Sequence, residues 1–176
     1  IWNSMSLLKR TEVLHVYGPE GTSETIQKLI DADSRKIPFK VSINDVQPGD
    51  AFEIGNIEVS CAKAEHGVPA LAYRLESDGK SIVYTGDTKP AKTIEKLSKN
   101  VNLLIHDSTF LSFNNAEKYN HSTPDEAAKV ARDANVEKLV LTHLSQRHKN
   151  TEEFIQQAKI NFRNVVVAED LMEIKL

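Results

Sequence analysis

Five short apolar stretches set the architecture this chain can adopt. Residues 57–60 (IEVS), 81–85 (SIVYT), 101–105 (VNLLI), 138–142 (KLVLT) and 164–168 (NVVVA) have the length of strands and are rich in Val, Ile and Leu. Between and beyond them, helical periodicity covers residues 91–98, 123–134 and 152–161. The second of these opens on Thr123-Pro124-Asp125-Glu126, with proline at the first helical position and Glu at N3, a strong start signal. Strands alternating with helices predict a sheet with helices packed on it. Two hairpins precede that alternation. Residues 51–54 and 57–60 flank Gly55-Asn56, and residues 70–75 and 81–85 flank Asp78-Gly79. The expected fold class is therefore α/β with a mixed sheet, not a purely parallel one. Further upstream, residues 12–17 (EVLHVY) read as a strand, Gly18-Pro19-Glu20-Gly21 as a turn, and Thr22 or Ser23 as the cap of a helix through Asp31, followed by a loop around Pro38.

At 176 residues the chain is expected to form a single domain, 1–176. No apolar run approaches the roughly 20 residues that span a bilayer, so no membrane partner is expected. The start, Ile1-Trp2-Asn3-Ser4-Met5, lacks the basic and apolar regions of a signal peptide. One cysteine, Cys61, rules out an internal disulfide and suits a reducing cytoplasm. A net charge of −3 argues against a wholly basic nucleic-acid binder and leaves room for a local basic rim.

The chemistry-bearing residues sit where the expected strands stop. His66 follows the strand at 57–61 and Asp87 the strand at 82–85. His106 and Asp107 follow 101–105, and His143 follows 139–142. His121 lies in a loop just before a helix. Sheet folds assemble their sites at strand ends. Imidazole nitrogen and carboxylate oxygen are the ligands of zinc in hydrolytic sites, and a carboxylate between two ions bridges them. Taken singly, each residue also has a bland reading: a strand-end His is more often surface or core, and an Asp after Gly is usually a turn residue.

The residues around these positions resemble the ribonuclease Z family, tRNA 3′-processing endonucleases of the metallo-β-lactamase fold. His15-Val16-Tyr17-Gly18-Pro19-Glu20-Gly21 resembles its YGP.G segment, and Glu65-His66-Gly67-Val68 its third metal motif. Thr85-Gly86-Asp87-Thr88 looks like its GDT motif, and His106-Asp107-Ser108-Thr109-Phe110 like HEATF. His121-Ser122-Thr123 matches HST, and Leu141-Thr142-His143-Leu144-Ser145-Gln146-Arg147-His148 is similar to LTHFSQRY. Ala168-Glu169-Asp170 resembles the closing A.D segment. The similarity runs in order along nearly the whole chain.

The resemblance implies a metallo-β-lactamase-like αββα sandwich of mixed sheets with flanking helices. It also implies a zinc-dependent phosphodiesterase that removes 3′ trailers from precursor tRNA with metal-activated water. His66 and His143 would bind different zinc ions of a pair, and Asp87 would bridge them. His121 would lie beside the scissile phosphate, with Asp107 holding it in orientation or, equally, capping loop amides. Ser145 and Arg147 would contact RNA phosphates, with a solvated loop charge the alternative for Arg147. His15 is expected to be structural, and His106 to support the site from behind or to belong to the core. A homodimer in the cytoplasm completes the expectation.

Three departures from the family pattern stand out. The H-x-H-x-D-H motif is absent. In the family it precedes the segment that Ile1-Trp2-Asn3-Ser4 resembles, so the chain is expected to correspond to the C-terminal two-thirds of such a protein, with the N-terminal part missing. Three candidate ligands then stand for seven, which predicts partial metal binding and inefficient catalysis. Many members carry a long tRNA-gripping arm before GDT, where this chain has only residues 76–80. And HDST stands for HEAT. Two other readings remain open: a hydrolase of the same fold acting on another phosphodiester or ester, and a non-catalytic fragment that binds RNA or a second subunit.

Overall fold

The computed structural model describes residues 2–33 and 37–176. Ile1, one of the residues in the expectation about the chain's start, lies outside them. By their internal contacts the residues form two units, Ile1–Gln47 and Pro48–Leu176.

The first unit contains helix α1 (Trp2–Leu7), strand β1 (Leu14–Gly18), helix α2 (Thr22–Ala32) and strand β2 (Val41–Asp45). β1 and β2 pair in parallel, from Leu14 opposite Val41 to Gly18 opposite Asp45. The strand and helix were expected from the sequence; α1 and β2 were not. A local cap on α2 from Thr22 or Ser23 was also expected. Instead, the N-cap is Gly21 in a left-handed conformation (φ 90°), and no side chain caps locally. The Asp45 carboxylate does the work from β2, accepting from Gly21 N (3.2 Å), Ser23 N (2.7 Å) and Ser23 Oγ (2.9 Å). The Ser23 amide and then its hydroxyl hold the Asp45 carboxyl below the usual carboxylate range. A carboxylate at a helix N-terminus is favoured by the exposed amides there. This partner is 22 residues from Ser23, beyond the reach of any local capping rule.

The second unit is built on a seven-stranded sheet in the order β3 (Ala51–Ile54), β4 (Ile57–Lys63), β5 (Leu71–Ser77), β6 (Lys80–Tyr84), β7 (Leu103–Asp107), β8 (Lys138–Thr142) and β9 (Val165–Val167). β3 to β6 pair antiparallel, and β6 to β9 parallel, so the sheet is mixed as expected. Asp78 (φ 50°) and Gly79 (φ 72°) both adopt positive φ, the requirement of a two-residue turn whose twist matches the strands. Ser77 therefore pairs directly with Lys80.

Helices α3 (Lys92–Leu97), α5 (Pro124–Asp133) and α6 (Glu152–Lys159) accompany the parallel half; a short helix, α4 (Phe113–Tyr119), was not anticipated. α5 starts as read. Thr123 is the N-cap, Pro124 is at N1, and Thr123 and Glu126 form a reciprocal capping box. Its small face, Ala127, Ala128 and Ala131, shares one core with Phe154 and Ala158 of α6, Ile94 of α3, and Leu104, Leu139 and Leu141 of the sheet. Each of those three leucines is fully buried and contributes about 2 kcal/mol through apolar burial.

β4 is antiparallel to β5 and β5 to β6, so β4, β6, β7 and β8 all run the same way. Their C-terminal ends consequently lie along one edge of the sheet. One boundary differs in a way that matters there. β7 reaches Asp107, two residues past the expected stop, so His106 and Asp107 end the strand and do not follow it.

Candidate metal centre

The shared edge gathers residues from four strand ends and one loop. His66 follows β4, Asp87 follows β6, Asp107 closes β7, His143 follows β8, and His121 precedes α5. Ligand atoms of His66, Asp87 and His121 lie within 4.8 Å of one another, as do those of Asp107, His121 and His143. His143 Nε2 stands 3.7 Å from Asp87 Oδ1. The His121 ring lies between the other two, 5.0 Å from His66 and 5.1 Å from His143 by centroid. Asp87 thus lies against both His66 and His143.

Each imidazole is anchored through the same nitrogen. His66 Nδ1 bonds the Asn120 carbonyl at 2.9 Å; a carbonyl can only accept, so Nδ1 carries the proton. His121 Nδ1 bonds Asp107 Oδ2 at 2.7 Å. His143 Nδ1 bonds Thr109 Oγ1 at 2.8 Å. In all three, Nε2 has no hydrogen bond among the described residues. A ring held by Nδ1–H presents the Nε2 lone pair to a metal, the usual arrangement behind a ligating histidine.

The two carboxylates differ sharply. Asp107 is fully buried. Its Oδ1 accepts from Thr109 N (2.9 Å) and Thr109 Oγ1 (2.7 Å), and its Oδ2 from Thr88 N (3.0 Å) and His121 Nδ1 (2.7 Å). Four donors occupy the lone-pair positions of an ionised carboxylate, leaving none for a cation. Asp107 is close enough to be counted with His121 and His143, but its bonds make it a positioning group. The Asp87 side chain is 40% exposed and has no such donors, so its oxygens are available. His66, Asp87 and His143 together offer two neutral imidazole nitrogens and a free carboxylate, a donor set that fits a divalent ion of the zinc type.

Two residues with no role expected from the sequence, Thr88 and Thr109, hold this edge together. Thr88 is buried and donates its amide to Asp107. Its hydroxyl accepts from Glu65 N at 3.0 Å, and its carbonyl accepts from Ser122 Oγ at 2.8 Å. It thereby ties the His66 loop, the Asp87 loop and the His121 loop to β7. Thr109 joins Asp107 to His143 and accepts the Ser145 amide at its carbonyl (3.0 Å). Both sit inside the GDT and HDSTF segments, so the signal was present; the partners were not visible. His143 has φ 61°, uncommon for a residue with a side chain, and turns the strand abruptly at the site.

Ser145 is half-buried on the loop after His143, and Arg147 is exposed there. Their side chains are not among the groups drawn together above. His15 lies on β1 in the first unit, stacked near Tyr17 at 6.4 Å. His106 belongs to the core. It is fully buried, its Nδ1 bonds the Asp107 carbonyl at 2.8 Å, and its Nε2 has no partner among the described residues.

Burial pushes the His106 imidazole below its ordinary pKa of 6.5, against smaller upward contributions from the Asp107 carbonyl and charge. Above pH 6.5 the ring is neutral whether the chain is folded or not. Below it, the unfolded chain takes up a proton that the folded one refuses until the lowered value is reached. Stability should fall with acid there by up to about 1.4 kcal/mol per pH unit from this ring. Urea unfolding of His106→Gln between neutral and mildly acid pH should show a shallower acid decline than the unsubstituted protein. Equal declines would mean that the ring is charged in the fold.

Residues 3–144 match the β-lactamase superfamily domain. Ribonuclease Z of Metallosphaera sedula is 45% identical over an alignment 215 positions long, gaps included, which covers 98% of this chain and 74% of that protein. The short form of human tRNase Z superposes with a TM-score of 0.76 at 24% identity, over 92% of this chain and 66% of that one. The metallo-β-lactamase fold protein YhfI of Bacillus subtilis gives 0.77 at 26% identity, over 89% and 63%. The chain therefore spans about three quarters of the curated relative and just under two thirds of these two solved proteins.

Proposed function

The chain belongs to the ribonuclease Z family of the β-lactamase superfamily, a family of metal-dependent hydrolases, and from that membership we propose that it serves a zinc-dependent endonuclease that removes 3′ trailers from precursor tRNA. One observation carries the reading: three imidazoles, each anchored through Nδ1, leave their Nε2 atoms bare around the open carboxylate of Asp87. His66, Asp87 and His143 would hold the metal, which the family resemblance makes zinc. Zinc when bound supplies water activation at neutral pH and charge stabilisation on the phosphoryl oxygens. His121, held by Asp107 through Nδ1, presents Nε2 to the phosphate. As an imidazolium it donates to the developing oxyanion or protonates the leaving oxygen. Asp107 keeps the ring oriented. Ser145 and Arg147, on the loop beyond His143, would contact backbone phosphates. The family resemblance supports a homodimer, and the single cysteine suits the cytoplasm.

A second reading keeps the fold and changes the substrate to a smaller phosphodiester. The tight β5–β6 turn favours it, because Ser77 pairs with Lys80 where many members carry their tRNA-gripping arm. The natural polypeptide carrying this chain, supplied with zinc, should release the trailer from a precursor tRNA and leave a 3′-hydroxyl. A strong chelator should stop it. Hydrolysis of a chromogenic phosphodiester with no cleavage of any precursor tRNA would establish the second reading.

A further inference from the structure

Thr109 carries one hydroxyl proton and touches two groups that could take it. Oγ1 stands 2.7 Å from Asp107 Oδ1 and 2.8 Å from His143 Nδ1. An ionised carboxylate is acceptor-only, so the hydroxyl must donate to Asp107. It then has only lone pairs left for His143, and Nδ1 of that ring must carry the proton. We infer that the Thr109 hydroxyl is the junction through which the buried Asp107 carboxylate fixes the tautomer of His143, as it fixes His121 directly, so that one carboxylate aims both Nε2 atoms into the site.

The surroundings support this direction. Asp107 Oδ2 already receives Thr88 N and His121 Nδ1, and Oδ1 receives the Thr109 amide. Donors reach the carboxylate from every bond it makes, so a proton on either oxygen would face an N–H. Thr109 itself is buried and cannot turn its hydroxyl to solvent. Its carbonyl also grips the Ser145 amide at 3.0 Å, which fixes the segment leaving His143. His143 is the most exposed of the three rings, with 48% of its side chain open, and Thr109 Oγ1 is its one hydrogen-bond partner among the described residues. Without that bond the ring has no reason to prefer Nδ1–H. Thr109 is thus a positioning residue that acts through His143 and never touches substrate. The tautomer follows from the hydrogen bonds alone, while its bearing on zinc rests on the proposed function.

Long-range proton–nitrogen NMR on metal-free protein with nitrogen-15 histidine, at about pH 8 where ordinary imidazoles are neutral, reads the tautomer directly. His143→Gln identifies the signal. The unsubstituted protein should show His143 as Nδ1–H. Thr109→Val, which keeps the shape and removes the hydroxyl, should lose that pattern and weaken zinc binding by about 10–100-fold in chelator competition. Thr109→Ser should restore both, which a purely steric role for the threonine methyl would not predict. An Nε2–H pattern in the unsubstituted protein overturns the inference without recourse to any variant. So does a Thr109→Val protein that keeps Nδ1–H and full zinc affinity. A tautomer that shifts as expected in a protein that binds no zinc would sink the metal reading and leave the junction standing.

Discussion

Asp87→Ala is expected to remove bound zinc and activity together while leaving the fold almost untouched. Among the described carboxylates at this sheet edge, Asp87 alone has free oxygens, because those of Asp107 are occupied by four donors. It is grouped with His66 and His121 and lies 3.7 Å from His143. Removing it leaves neutral imidazoles around a doubly charged ion, with no negative charge between them. Loss of an outer partner of a ligand already weakens metal sites about 10–100-fold, so loss of the carboxylate proposed as a ligand should exceed about 100-fold in both affinity and cleavage rate. Metal-free stability should change by no more than about 0.5 kcal/mol, since the side chain is 40% exposed and accepts no hydrogen bond among the described residues. Elemental analysis beside urea unfolding separates the two effects. Equal zinc in both proteins would overturn the assignment of Asp87 and, with it, the pairing of His66 and His143 around it.

The parts of this molecule that were legible in its sequence are those governed by local period and turn chemistry. The hairpins at Gly55-Asn56 and Asp78-Gly79, the α5 capping box and the strand β8 all stand where the residues place them. So does the rule that His66, Asp87 and His143 follow strands, which a mixed sheet then turns into proximity by aligning β4, β6 and β8. What was not legible depends on partners far apart in the chain. Asp45 caps α2 across 22 residues, Thr88 reaches Glu65 across 23, and His66 finds the Asn120 carbonyl across 54. β2 was hidden because, among the described residues, its five residues pair only with β1, which lies on the far side of helix α2 in the chain. β7 ran past its expected end because His106 and Asp107 look like loop residues by type. The burial of Asp107 is matched by bonds to Thr85, Thr88 and Thr109, and composition says nothing of these.

Asp107→Asn tests the deepest of those dependences and should be the most destabilising change at the site. An asparagine has one acceptor oxygen where the carboxylate has two. Turned one way, its NH2 group faces Thr88 N and His121 Nδ1; turned the other way, it faces Thr109 N and the Thr109 hydroxyl. The histidine and the hydroxyl can each reorient, but a backbone amide cannot. Either orientation therefore leaves a buried N–H opposite another N–H, at about 1–3 kcal/mol for each stranded donor. A loss of about 3 kcal/mol in urea unfolding is expected, large for a change that alters no volume. The rate should fall further than stability explains. His121 loses the carboxylate that holds its ring in place, and acid–base assistance from a well-placed group is worth about 100- to 10,000-fold. Asp107→Glu makes the complementary test. It keeps the charge and is the residue the family pattern carries, but it adds a methylene to a fully buried position at about 1–3 kcal/mol. If the charge of the carboxylate is what matters, Asp107→Glu should retain far more activity than Asp107→Asn at similar stability. Equal losses of activity in the two would show instead that the geometry of the four bonds, and not the charge, is what the site requires of this residue.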